Sequence, residues 1–276
     1  MTAPIHIATA TLVSALDEQA PLEQVWARLD LVMDPELDEP VTDMGFIEAV
    51  SITSTPDQNT STVHVSFRLP TYWCSPNFAF LMAEGIKRQI EVLPWVAQAV
   101  VTLQDHMAAE EMNAAINAGA SFGSVFADLH PDEDLAALRE KFDIKAFQRR
   151  QEVVIKAMIT MGFLPAEILT MPRALVEIAE FTDPETIRQK ARYLAILDEK
   201  RLAPSPRDLA FPTYQGTPID DYATYMGLLR SVRINMEFSG SLCRGLKRSR
   251  YQEADLSGDV PILVDFTTRT PTHACR

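Results

Sequence analysis

The sequence predicts an α+β protein, with an N-terminal α-β-β-α-β layer followed by a mainly helical C-terminal region. Three observations carry that expectation. Apolar residues recur at spacings of three and four over residues 23–33 and again over 77–93, the stripe of a helix packed on one side. Between them lie two runs that alternate with a period of two, the pattern of half-buried strands. After about residue 130 the strand patterns give way to successive helical ones punctuated by proline.

Residues 1–19 read as an N-terminal arm, and the first domain spans 20–120. Its opening helix carries Val25, Trp26, Leu29, Val32 and Met33 on one stripe, and Pro35 stops it. Residues 46–53 form the first strand. Residues 62–69 form the second, with Val63, Val65, Phe67 and Leu69 on one face and His64, Ser66 and Arg68 on the other. Residues 54–61, rich in Pro, Asp, Gln and Asn, make the hairpin loop. The helix over 77–93 buries Phe78, Leu81, Met82, Ile86, Ile90 and Leu93, with Ser75 as N-cap and Pro76 in its first turn. Residues 96–103 supply a third strand. Asp105 caps a short helix reaching Asn117, which Gly119 ends. Residues 130–276 form a mainly helical second domain, with helices over 135–142, 147–161, 166–181, 184–198 and 220–236. An irregular connection covers 203–220, and a short strand covers 262–266.

Composition narrows the function. The chain has 276 residues, 25 basic and 38 acidic side chains and a net charge of -13. That balance argues against a nucleic-acid partner, which requires a basic footprint. No run approaches the roughly 18 apolar residues of a membrane helix, and the arm lacks the basic start of a secretory signal, so a cytoplasmic location is expected. Three cysteines, Cys74, Cys243 and Cys275, do not make a disulfide framework. The phosphate-cradling and nucleophile-elbow motifs are absent from the sequence.

Chemistry has one leading candidate, Cys74. It follows a strand and precedes the helix start at Ser75-Pro76, where free N–H groups and the helix dipole favour a thiolate. The bland alternative is a small hydrophobe closing a strand. The acids Asp34, Glu36, Asp38, Glu39 and Asp43 cluster in a stretch where acids outnumber bases eleven to one over residues 17–57. They read as a solvated face, with Asp34 either bonding backbone N–H groups in a turn or taking part in chemistry. His106 with Glu110, and Cys243 with His273 and Cys275, are weaker metal-ligand sets without supporting spacing. The basic run Arg244, Lys247, Arg248 and Arg250 is either a docking patch for an acidic protein, a solvated helix face, or a partner for the acidic N-terminal domain.

The block Asp34-Pro35-Glu36-Leu37, Val41, Asp43-Met44-Gly45-Phe46-Ile47 and Val50, followed by two strands and the loop Pro70-Thr71-Tyr72-Trp73-Cys74-Ser75-Pro76, resembles the SufT/PaaD-like metal–sulfur cluster assembly family. The Pro-Thr-Tyr opening is similar to the PaaD branch, which accompanies a di-iron oxygenase. The resemblance covers residues 20–120. Two features depart from the pattern: Ser75 separates Cys74 from its proline, and the C-terminal zinc element of the PaaD branch has no counterpart.

The resemblance implies an accessory protein rather than a metabolic enzyme, one that assists delivery or insertion of iron or an iron–sulfur cluster into a client metalloenzyme. A bacterial multicomponent di-iron oxygenase is one such client. By carry-over, Cys74 is the functional thiol. Asp34 and Glu36 contact metal or support the loop with Thr71 and Asp43, and iron or a cluster is bound transiently. A homodimer is allowed for. Two rivals stay open: a client-binding chaperone or adaptor without metal chemistry, and a thiol enzyme using Cys74.

Overall fold

The computed structural model describes residues 20–55, 60–126 and 135–251. The expected arm, residues 56–59 of the expected hairpin loop and the expected strand over 262–266 lie outside them. Contacts divide the chain into two units, residues 1–135 with 242–276, and residues 136–241. The second domain expected over 130–276 is thus narrower, because residues 242–251 group with the first unit.

The first unit holds helix α1 (Pro21–Leu29), strands β1 (Ile47–Thr55) and β2 (Thr60–Arg68), helix α2 (Pro76–Glu91), strand β3 (Val96–Gln104), and helices α3 (Ala109–Ala118) and α4 (Phe122–Phe126). The α-β-β-α-β order is as predicted. The three strands form one sheet in the order β1-β2-β3. β1 pairs antiparallel to β2, and β3 pairs parallel to β2. A parallel neighbour demands a crossover, and α2 is that crossover. The predicted face of β2 is the core: Val63, Val65, Phe67 and Leu69 are all essentially fully buried, roughly 2 kcal/mol of stabilisation each. Ala79, Phe80, Met82, Ala83, Ile86 and Ile90 of α2 are buried in the same core cluster.

The structure corrects several local expectations. α1 ends at Leu29 instead of continuing to Met33, because Met33 bridges Pro40 and Val41 N–H bonds Val32 C=O, which pulls those residues out of the helix. Trp26, expected on the apolar stripe, is exposed. Ser75 stands at the N-cap of α2, yet its side chain makes no capping bond. Asp105 is not the cap of α3. It occupies a left-handed turn position with φ 51°, as Asp38 does with φ 53°, and α3 starts later, with Ala108 at its N-cap. Gly119 ends α3 with φ 70°, the left-handed C-terminal residue that glycine supplies without strain.

The outer edge of β3 is closed by side chains. Asn117 accepts from Val101 N–H at 2.9 Å and donates to Val101 C=O at 2.9 Å. Asn113, one helical turn earlier on α3, does the same for Leu103 at 2.7 and 3.0 Å. The two carboxamides imitate the ladder of a fourth strand.

The second unit is helical. It holds residues 136–160 of α5 (Leu135–Thr160), then α6 (Pro165–Thr170), α7 (Arg173–Ile178), α8 (Pro184–Glu199) and residues 222–241 of α9 (Tyr222–Tyr251). The helices expected over 135–142 and 147–161 are one helix. The one expected over 166–181 is two, split at Pro172, whose backbone bridges Leu209. α9 runs well past the predicted end at 236. Phe147, Tyr193 and Phe211 sit at the centre of the core. The proline-rich connection is fixed by a buried network: Gln151 donates to Tyr193 Oη (3.0 Å) and Pro212 C=O (2.7 Å), Tyr225 donates to Gln151 (2.7 Å), and Tyr193 donates to Ala210 C=O (2.7 Å). Among the described residues no helix is long and apolar enough to cross a membrane.

Candidate functional site

Cys74 lies at the corner between β2 and α2, as expected, and is partly buried against the core of the first unit. Its N–H points to Thr71 C=O at 3.4 Å, so Thr71 closes the turn through its backbone. Its carbonyl is held by His106. Nδ1 of His106 accepts the Ala108 N–H at 3.1 Å, so the proton sits on Nε2, which donates to Cys74 C=O at 2.7 Å. Burial lowers the His106 pKa and so favours this neutral ring. His106 is therefore neither a surface residue nor a metal partner of Glu110: it is buried while Glu110 is exposed. His64 is exposed on the opposite face of β2 from the core.

Asp34 is buried, and its Oδ1 accepts the N–H groups of Glu36 and Leu37 at 2.9 Å each. Its own N–H bonds Glu39 C=O at 2.8 Å, so the carboxylate organises the 33–40 loop from inside. Burial raises its pKa to about 6 against the opposing pull of those two N–H bonds, with Glu36 and Glu39 adding to the rise. Asp43 is exposed on the following turn, and Gly45 in that turn takes φ 66°.

The structure brings Asp34, Glu36 and Cys74 together, and it adds Cys243. Both carboxylates and the Cys243 thiol act on Cys74 electrostatically. Burial, followed by Asp34 and Cys243, pushes the Cys74 thiol up to about 12, outweighing the Ser75 N–H that favours the anion. The thiolate expected from the helix start is therefore not the resting form. Desolvation and like charge exceed the dipole effect, which is worth about 0.3–1 kcal/mol. Cys243 is likewise raised, to about 11, by burial and then Asp34 and Glu36. This neutral thiol, with no imidazole placed as its base among the described residues, does not support the thiol-enzyme rival.

Three of the four cations in the C-terminal basic run are engaged inside the first unit. Arg244 pairs with Glu39 at 2.6 Å, Lys247 bonds Gly45 C=O and lies 3.5 Å from Glu48, and Arg250 pairs with Asp105 at 2.9 Å. Of the readings for that run, the structure selects a partner for the acidic N-terminal domain. Next to Cys74 the surface is apolar: Trp73 is 71% exposed, Tyr72 43% and Met107 51%, with Met107 N–H bonded to Tyr72 C=O.

Among the described residues no group of three or more His, Cys, Asp or Glu side chains is placed to enclose a metal, and Asp34 Oδ1 is already committed to the loop. Sequence reading missed Cys243 as a neighbour of Cys74 and missed His106 as the clamp on its carbonyl. Only tertiary contact brings them there. No curated protein matches the chain. Residues 22–101, less than a third of the chain, match the family model described as iron-sulfur cluster assembly protein, the same stretch that holds the Asp34 loop and Cys74, and this similarity supports a role in iron–sulfur cluster assembly.

Proposed function

We propose that this protein assists maturation of a client metalloenzyme by passing on iron or an iron–sulfur cluster through Cys74. The observation that carries the reading is the position of Cys74, on the corner of a domain similar to iron–sulfur cluster assembly proteins, between an anionic loop and an exposed apolar rim. Asp34 and Glu36 make the surroundings favourable to a cation. The neutral thiol loses its proton to solvent only when metal arrives, because a bound cation reverses the field that keeps it protonated. His106 holds the corner in place, and Tyr72, Trp73 and Met107 offer the client an apolar contact. A bacterial multicomponent di-iron oxygenase is the first client class to examine, and the cytoplasm is the compartment.

The test is Cys74→Ala with a co-expressed client, reading the client's iron content and activity. The expected result is loss of iron occupancy to the level found without this protein. Unchanged occupancy refutes the thiol role. The exposed Trp73 and Tyr72 favour a second reading, an adaptor that binds the client without metal chemistry. Under it Cys74→Ala keeps full activity and Trp73→Ala loses the client complex.

A further inference from the structure

We propose that Cys243 is the second thiol of this site, so that Cys74 and Cys243 together hold a thiophilic iron(II) centre. This rests on the reading of Cys74 as a cargo thiol and adds the residue that completes it. Both cysteines belong to the first unit and pack against the same hydrophobic core, although one comes from the β2–α2 corner and the other from α9. The registry of α9 delivers Cys243 there. Residues 243, 247 and 250 fall on one helical face and are the half-buried positions of the segment 242–250. Lys247 on Gly45 and Glu48, Arg250 on Asp105 and Arg244 on Glu39 fix that face around the Asp34 loop and the end of β3.

The surroundings fit a cation. Asp34 and Glu36 lie within electrostatic reach of both thiols. Three residues after Cys74, Asn77 is almost fully buried and its Oδ1 has no hydrogen-bond partner among the described residues. Soft thiolates select iron over harder cations such as magnesium. Two thiolates leave the remaining coordination positions to sulfide or to a client ligand, as release of cargo requires. In the binding step two S–metal bonds replace two S–H bonds, both protons go to solvent, and no oxidation state changes.

Cobalt(II) alone, added to the reduced full-length protein under anaerobic conditions, is the probe. The sulfur-to-cobalt charge-transfer intensity and the protons released per ion both count thiolates. The proposal expects two thiolates and two protons for the wild type and for Cys275→Ser. It expects one of each for Cys243→Ser and Cys243→Ala, with affinity lowered about tenfold or more; two variants with unaltered circular dichroism separate ligation from folding. Wild-type behaviour in both Cys243 variants, with loss in Cys74→Ser, overturns the proposal and leaves the Cys74 reading standing. No change in any cysteine variant overturns both. Parallel loading with ferrous iron alone and with ferrous iron plus sulfide separates a free ion from a cluster, and Cys243 is required in whichever arm binds.

Discussion

Replacing Asp34 by Asn keeps an acceptor for the Glu36 and Leu37 N–H groups and removes a charge that the fold buries. The wild-type carboxyl rises from 3.8 to about 6, so the folded state holds its proton where the unfolded chain has released it. Stability from this group is fully present below pH 3.8 and is lost as the pH rises through about 6. At about 1.36 kcal/mol per unit the loss is ~3 kcal/mol. The carboxamide of the Asp34→Asn variant does not titrate and loses nothing over this range. The unfolded carboxyl is already partly ionised at pH 4, so the difference in unfolding free energy, Asp34→Asn minus wild type, should grow by ~2.4 kcal/mol of that total between pH 4 and pH 7. Urea unfolding followed by tryptophan fluorescence measures it, because Trp26, Trp73 and Trp95 all lie in the first unit. A pH-independent difference, or one that shrinks towards pH 7, refutes the claim that burial dominates at this carboxylate.

Two further substitutions examine the clamp and the second core. His106→Ala leaves Cys74 C=O without its donor and should cost about 1–3 kcal/mol. Because the His106 pKa is lowered from 6.5, wild-type stability from this ring is present above that value and falls as the pH drops below it; the variant should lack that fall, as urea unfolding between pH 5 and pH 7.5 will show. Gln151→Leu removes bonds to Tyr193, Pro212 and Tyr225 and should cost about 3 kcal/mol, seen as faster hydrogen exchange over residues 136–241 with the first unit unaffected.

The sheet and its helix were legible because burial on one face imposes a period. Val63, Val65, Phe67 and Leu69 alternate with polar residues, and all four are buried. Asp34, Glu36 and Cys74 were singled out through their motif. Cys243 and His106 were not, since the first approaches from a distant helix and the second carries no local pattern. Helix ends failed where backbone pairing outside the helix overrode propensity, locally at Met33 with Pro40 and over a longer separation at Pro172 with Leu209. Asn113 and Asn117 did leave a signal, two poor helix formers four apart among alanines, which periodicity of apolar residues does not register.

Those two asparagines restrict how the protein can associate. A sheet edge with unpaired backbone groups recruits strands from other chains, and repeated recruitment builds fibres. Here β3 has spent its outward N–H and C=O groups at Val101 and Leu103 on α3, which leaves β1 as the other edge. Among the described residues, then, the β3 flank offers a second chain no free backbone groups at Val101 and Leu103, and a strand seeking to extend this sheet there would first have to displace the two asparagines.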